Sequence, residues 1–243
     1  MLALAASGTD VYAAGDFTTA GGISAKYIAK WDGSSWSALG SGLNGGVLAL
    51  AVSGNEVYAG GRFTKAGGST DNGIAKWNGN SWSALGSGIN GTVWALATSG
   101  SDVFAGGDFR AGSSAGNYIA KWDGSSWTAL GSGMNSYVWA LALSGSDLYA
   151  GGIFSTAGGN VSAYIARAYL LPLPAISVFP SGNEVLLTWA SVDTAGFALE
   201  QAGALAVPAD WVTNTASITD DGTNKSVILP ATNSSRFFRL SRP

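Results

Sequence analysis

"YIAKWDGSSWSALGSG" (Tyr27–Gly42) returns almost unchanged as "GIAKWNGNSWSALGSG" from Gly73 and as "YIAKWDGSSWTALGSG" from Tyr118. A reactive motif needs to occur once; three copies in register mark a structural part. Trp31, Trp77 and Trp122 stand 46 and 45 residues apart, and Tyr12, Tyr58, Phe104 and Tyr149 follow at 46, 46 and 45. A period near 45 therefore runs from Leu2 to about Tyr169. Self-similarity on that scale is the signature of a repeat architecture.

Each period reads as four short strands separated by turn signals. In the second copy these are VLALAVS (Val47–Ser53), EVYAGGRF (Glu56–Phe63), GIAKWN (Gly73–Asn78) and SWSALG (Ser81–Gly86), with a longer Gly/Ser/Thr loop after the second. The nearly unbroken apolar first strand suits a position covered on both faces. Asp-Gly or Asn-Gly between the last two suits a hairpin turn, because glycine accepts positive φ. Trp31 and Trp36 bracket that turn and are expected opposite each other on adjoining strands, as are Trp77/Trp82 and Trp122/Trp127. Such pairs add ~0.5–1 kcal/mol beyond area burial. Asp32 and Asp123 have the chemistry of calcium ligands, but Asn78 replaces them in the middle copy. A turn-forming role accounts for all three. Four antiparallel strands per repeat describe a propeller blade, whose two apolar faces are buried by stacking on neighbours. A β-solenoid has a shorter repeat and no need of this hairpin chemistry.

The pattern resembles kelch-type propeller repeats of the galactose-oxidase-like fold. That motif has an apolar strand ending in a glycine pair, then a polar turn and a Trp opening the last strand. Here it reads "VYAGGRF…IAKWNGNSW", with Gly60-Gly61, Gly106-Gly107 and Gly151-Gly152, and Ala14-Gly15 in the first copy. The resemblance implies architecture and no particular activity. After "LLPLPA" (Leu170–Ala175) the repeat stops. Runs at EVLLTWA (Glu184–Ala190), GFALEQA (Gly196–Ala202), KSVILPA (Lys225–Ala231) and RFFRLS (Arg236–Ser241) read as strands of a small β-sandwich. This tail, its closing "SRFFRLSRP" above all, resembles the fibronectin-type-III-like modules that end many secreted bacterial proteins. The expected organisation is all-β: about four four-stranded propeller blades over residues 1–170 and a β-sandwich module over 171–243.

Composition narrows the chemistry. The 243 residues contain no Cys and no His, which removes thiol chemistry, zinc-finger spacing, the commonest general base and the commonest transition-metal ligand. Copper oxidation in the galactose-oxidase style lacks its ligands, and Ser-His-Asp hydrolysis lacks its base. Sialidase chemistry needs an arginine cluster, whereas the repeats hold only Arg62, Arg110 and Arg167. Paired carboxylates remain, at Asp16 and Asp108, but the blade between them carries Arg62 at the same place. Net charge is -3 with 12 Lys+Arg spread thinly, so no basic stripe would neutralise nucleic acid. No apolar run reaches the ~18 residues of a membrane span. No catalytic residue, metal or cofactor is expected, with calcium left open as a weak structural ion.

A binding surface fits better. The loops after the glycine-pair strands and those leading into the next repeat are expected on one face, as the longest and most variable segments of the period. Their polar candidates are Asp16, Arg62, Lys65, Asp108, Arg110, Asn90 and Asn135. Trp94 and Trp139 stand where the first two copies have Leu2 and Leu48, suited either to stacking on a sugar or to packing between blades. The expected role is a non-catalytic recognition or display module for a protein or carbohydrate, in an extracellular or cell-envelope setting. A carboxylate-dependent hydrolase or lyase and a passive spacer are the rivals.

Strand counting bears on closure. Three full repeats are followed by WALALS, DLYAGGIF and YIARAYL, where a fourth SWSALG should come and "LLPLPAISVFP" stands instead. Four units could close into a small ring, with Ala175–Phe179 or another tail strand completing the last blade. Alternatively they are part of a longer propeller, the arrangement the in-register start favours, and the open ends pair with further repeats or a second copy. Either way the four blades are expected side by side, closed or nearly so.

Overall fold

The computed structural model describes residues 1–111, 116–170, 175–191, 197–204, 211–231 and 236–241. All its regular structure is β, and it forms two compact units, Met1–Leu170 and Leu171–Pro243.

The first unit is a succession of antiparallel blades. Blade 1 contains β1 (Ala3–Ser7), β2 (Asp10–Ala14), a hairpin of β3 (Thr19–Ala20) and β4 (Ile23–Ser24), then β5 (Ile28–Trp31) and β6 (Trp36–Ala38). The four main strands pair in the order β1-β2-β5-β6. Blade 2 repeats this with β7 (Val47–Ser53), β8 (Glu56–Gly61), the hairpin β9 (Lys65–Ala66) and β10 (Ser69–Thr70), β11 (Ile74–Trp77) and β12 (Trp82–Ala84). Blade 3 is β13 (Asn90–Ser99), β14 (Asp102–Ala111), β15 (Gly116–Trp122) and β16 (Trp127–Ala129). Blade 4 has β17 (Val138–Ser144), β18 (Asp147–Gly152), the hairpin β19 (Thr156–Ala157) and β20 (Asn160–Val161), and β21 (Ile165–Tyr169). Its main sheet stops at three strands, β17-β18-β21. The small hairpins occupy what the sequence suggested was plain loop. Residues 112–115 of the third loop lie outside the described residues.

The glycine pairs explain how blades approach. A Cβ on Gly60 would lie 2.5 Å from Val93 Cγ1 of blade 3, and one on Gly106 would lie 2.5 Å from Val138 Cγ1 of blade 4. The second glycine meets a different obstacle. A Cβ on Gly61, Gly107 or Gly152 would strike the carbonyl oxygen of Gly46, Thr92 or Tyr137, at or near the start of the first strand of its own blade. That strand is bulged there: pairing jumps from Val47 to Ala49 and from Val93 to Ala95, and again from Val138 to Ala140. Leu48, Trp94 and Trp139 are the extra residues, and a bulge re-aims the side chain it carries.

Tryptophan makes the other joint. Trp31, Trp77 and Trp122 face Trp36, Trp82 and Trp127 in register, with ring centroids 5.5 to 5.6 Å apart. Trp82 Nε1 donates to the Leu39 carbonyl of the preceding blade at 2.8 Å, and Trp127 Nε1 to Leu85 at 3.0 Å. Gly40 lies under Trp77 and Gly86 under Trp122, where a Cβ would come within 3.2 and 3.0 Å of the ring, tighter than ordinary contact. The second and third pairs thus belong to the apolar cores shared by successive blades.

β7 packs on β1, β13 on β7 and β17 on β13, whereas β17 and β1 are not packed together in this way. The outer faces show it. Ile28, Ile74 and Ile119 are at most 1 % exposed, but Ile165 of blade 4 is 65 % exposed. At the other end Leu4 is 57 % exposed while Leu50, its counterpart, packs on blade 1. The four blades stand side by side without closing a ring.

The second unit pairs β22 (Ser177–Ser181), β23 (Glu184–Ala190), β26 (Thr219–Asp220) and β27 (Asn224–Pro230) in the order β22-β23-β27-β26. A second sheet, β25-β24-β28, contains β24 (Ala198–Ala202), β25 (Val212–Thr213) and β28 (Phe237–Ser241). Leu187, Trp189, Val227 and Leu229 of one sheet share a core with Leu199, Phe238 and Leu240 of the other, which makes a small sandwich. One expectation is corrected here. The Ala175–Phe179 segment does not complete blade 4, because Ser177–Ser181 pairs residue for residue with Glu184–Thr188. Gly196 and several residues of the closing "SRFFRLSRP" lie outside the described residues.

Candidate functional site

The loop side of the blades does gather the expected segments. Leu43 bridges to Ala66 and Met134 to Ala157, so each leading loop touches the small hairpin of its own blade. Asn44 Oδ1 accepts the N–H groups of Thr64 and Lys65 at 2.9 and 2.8 Å, and its Nδ2 donates to Thr64 Oγ1. Asn135 makes the same clasp on Ser155 and Thr156. Its amide is engaged in holding a hairpin, and so is the backbone of Lys65. The signal for Asn44 in the sequence is its alignment with Asn90 and Asn135 in "GSGLN", "GSGIN" and "GSGMN".

Blade 3 departs from this plan. Its β13 and β14 run on to pair Asn90 with Arg110 and Thr92 with Asp108, where the other blades have a separate hairpin. Asp108 and Arg110 are both exposed and two residues apart on one strand, so they share a face. Arg62, from blade 2, lays its guanidinium over the Trp94 ring of blade 3 at 4.7 Å from the centroid. Trp94 Nε1 is buried without a hydrogen-bond partner. Trp139, on the equivalent bulge of blade 4, is 54 % exposed. Beside its strand, Tyr137 meets Tyr118 edge to face at 5.6 Å. Asp16 of blade 1 has its Oδ1 against Gly46, whose carbonyl accepts the Arg62 N–H. The arrangement is a rim of an Arg-capped indole, an open indole and exposed polar groups. Among the described residues no group of three or more acidic side chains is placed to hold a metal. Among them, too, no helix is long and apolar enough to cross a membrane.

The model of the Rax2 C-terminal beta propeller domain matches residues 1–143, more than half of the chain. The chain belongs to that family. The Rax2-type match spans blades 1 to 3 and reaches into β17, so the rim residues from Asp16 to Trp139 all fall inside it. Among solved structures, the computationally designed Ika4 protein is similar at 21 % identity, over 70 % of this chain and 90 % of Ika4, with a TM-score of 0.46. A comparison with curated proteins finds no match.

This Rax2-type chain also has a concavity at one blade joint. A cavity of about 400 Å³ lies between blades 3 and 4, lined by Phe104, Ile119 and Leu130 on one side and Leu148, Ala150 and Ala166 on the other. Its signal in the sequence was the missing fourth SWSALG.

Proposed function

We propose that the propeller is a non-catalytic recognition module that takes a protein ligand on the rim around Trp94 and Trp139. The observation that carries this reading is Trp139, an indole more than half exposed on a bulge, beside a blade whose Trp94 is capped by Arg62. Trp and Arg dominate the energetic centres of protein interfaces, because they offer large contact area with directed hydrogen bonds. A Gly-supported β scaffold holding such groups at loop ends suits recognition. The absence of His and Cys favours binding over chemistry. The rival, carboxylate-dependent cleavage, would have to join Asp16 and Asp108 across blade 2, where Arg62 holds the corresponding position. With this reading go the kelch-like kinship of the blades, a fibronectin-type-III-like character for the terminal sandwich, and an extracellular or cell-envelope setting in a bacterium.

Labelled protein and its Trp139→Ala variant, applied to a peptide array and a glycan array, test the proposal. Peptide binding that the variant loses, with its melting temperature unchanged, is the expected result. Binding confined to glycans would replace the protein ligand by a carbohydrate. Equal binding by both proteins would sink the rim as the site.

A further inference from the structure

The cavity between blades 3 and 4 has two counterparts in the same chain, and both are filled. Between blades 1 and 2, Tyr12, Ile28 and Leu39 meet Val57, Ala59 and Ala75 around Trp77 and Trp82. Between blades 2 and 3, Tyr58, Ile74 and Leu85 meet Val103, Ala105 and Ala120 around Trp122 and Trp127. Between blades 3 and 4 the walls recur as Phe104, Ile119, Leu148 and Ala150, but neither indole is there. Ala168 stands where the first Trp belongs, and among the described residues no strand takes the place of the one that would carry the second. Gly131 shows the vacancy directly. Its counterparts Gly40 and Gly86 press on Trp rings, whereas a Cβ on Gly131 would meet only Gly158 Cα at 3.6 Å. The Leu130 carbonyl accepts the Gly133 N–H, as Leu39 and Leu85 accept those of Gly42 and Gly88. Those two also take an indole N–H; among the described residues Leu130 takes none. The outer edge of β21, which in the other blades pairs with the Trp-bearing strand, pairs with no described strand.

We infer that this groove is a docking site for an extended peptide segment bearing tryptophan, supplied by another molecule. The segment adds to β21 as a fourth antiparallel strand, its main chain pairing with Ala166–Ala168. Its indole enters the cavity and donates to the Leu130 carbonyl. The site is separate from the rim and does not depend on it. Its occupant is specified by continuity with the two filled joints: a Trp followed two residues later by a small side chain, as in Trp82–Ala84 facing Trp77–Ala75. Strand addition to an open edge supplies affinity through main-chain bonds, and the pocket supplies selectivity. A volume of about 400 Å³ lies within the ~300–1,000 Å³ usual for ligand sites.

The probe is the acetylated, amidated peptide Asn-Ser-Trp-Ser-Ala-Leu-Gly, the sequence of Asn80–Gly86, titrated calorimetrically into the full chain. Saturable one-to-one binding is expected, weakened ~10-fold or more when its Trp is replaced by Ala, as for an anchoring side chain. Ala168→Trp separates this site from a merely greasy groove. It restores the missing ring partner, so the Trp peptide should bind more tightly, whereas simple filling of a cavity would weaken it. Absence of binding, equal binding of the Ala peptide, or weaker binding to a folded Ala168→Trp protein would each overturn the inference.

Discussion

Asp32 and Asp123 hold their turns by accepting backbone N–H groups. Each Oδ1 takes the N–H groups of the residues two and three ahead at 2.8 Å, and the neighbouring serine hydroxyls add further bonds. Asn78 does the same at 2.9 Å in blade 2, so the position needs an acceptor and no charge. The donated backbone bonds, first those of Ser35 and Ser126, hold both carboxyls well below the usual carboxylate range. Their contribution to stability is complete above the unfolded value near pH ~4 and is lost as pH falls toward the folded value. The Asp32→Asn/Asp123→Asn protein should therefore match the wild type at pH 7 and lose less melting temperature on acidification below pH ~4. Parallel acid profiles of the two would refute this. Asp71 has the opposite sign. It is 1 % exposed, neither carboxylate oxygen has a well-formed hydrogen bond, and burial raises its pKa, with the nearby Ala66 N–H offsetting part of the effect. Blade 1 has buried Ala25 at the matching position. Asp71→Ala should stabilise the protein at neutral pH by ~1–3 kcal/mol, the cost of an unsatisfied buried polar group. That gain should shrink as pH falls below ~4, where folded and unfolded states both come to hold the proton. Denaturant melts at the two pH values decide it.

At the scale of the element, the glycine pair sets where blades touch. Gly106→Ala forces a methyl against Val138 and should cost ~1–3 kcal/mol, as overpacking does. Gly151→Ala is the control: it has the same place in blade 4, yet the nearest atom to its Cβ lies 3.9 Å away. It should be neutral or gain ~0.4–1 kcal/mol through the unfolded chain. Equal losses at both positions would mean that the glycines serve strand geometry alone. The blades were legible in the sequence because Trp, Gly and Asp-Gly recur in register, and each has one local job. The bulges were not, since Leu48, Trp94 and Trp139 look like ordinary members of an apolar strand until the pairing register is known. The side-chain clasp of Asn44 and Asn135 was hidden for a related reason. A loop asparagine reads equally as a solvated group or a turn, and only the facing hairpin decides. Of the rim, the sequence supplied the residues but not their grouping: Arg62 reaches the next blade's Trp94, and Asp16 lies against Gly46 just before β7.

For the molecule as a whole, identical parts have been given unequal work. Trp77, Trp82, Trp122 and Trp127 pack into the cores between blades and fix neighbour to neighbour, and those on the bulges stand at a rim. Blade 4 has no fourth strand among the described residues, which leaves a joint of the first kind without its indoles. Thermal unfolding of Trp77→Ala and Trp139→Ala tests this division of labour most directly. Trp77 is buried against blade 1 and paired with Trp82, so its loss should cost ~3–5 kcal/mol and lower the melting temperature by several degrees. Trp139, more than half exposed, should be removable with a change within ~0.5 kcal/mol. A large loss at Trp139, or an unchanged melt at Trp77, would contradict the account.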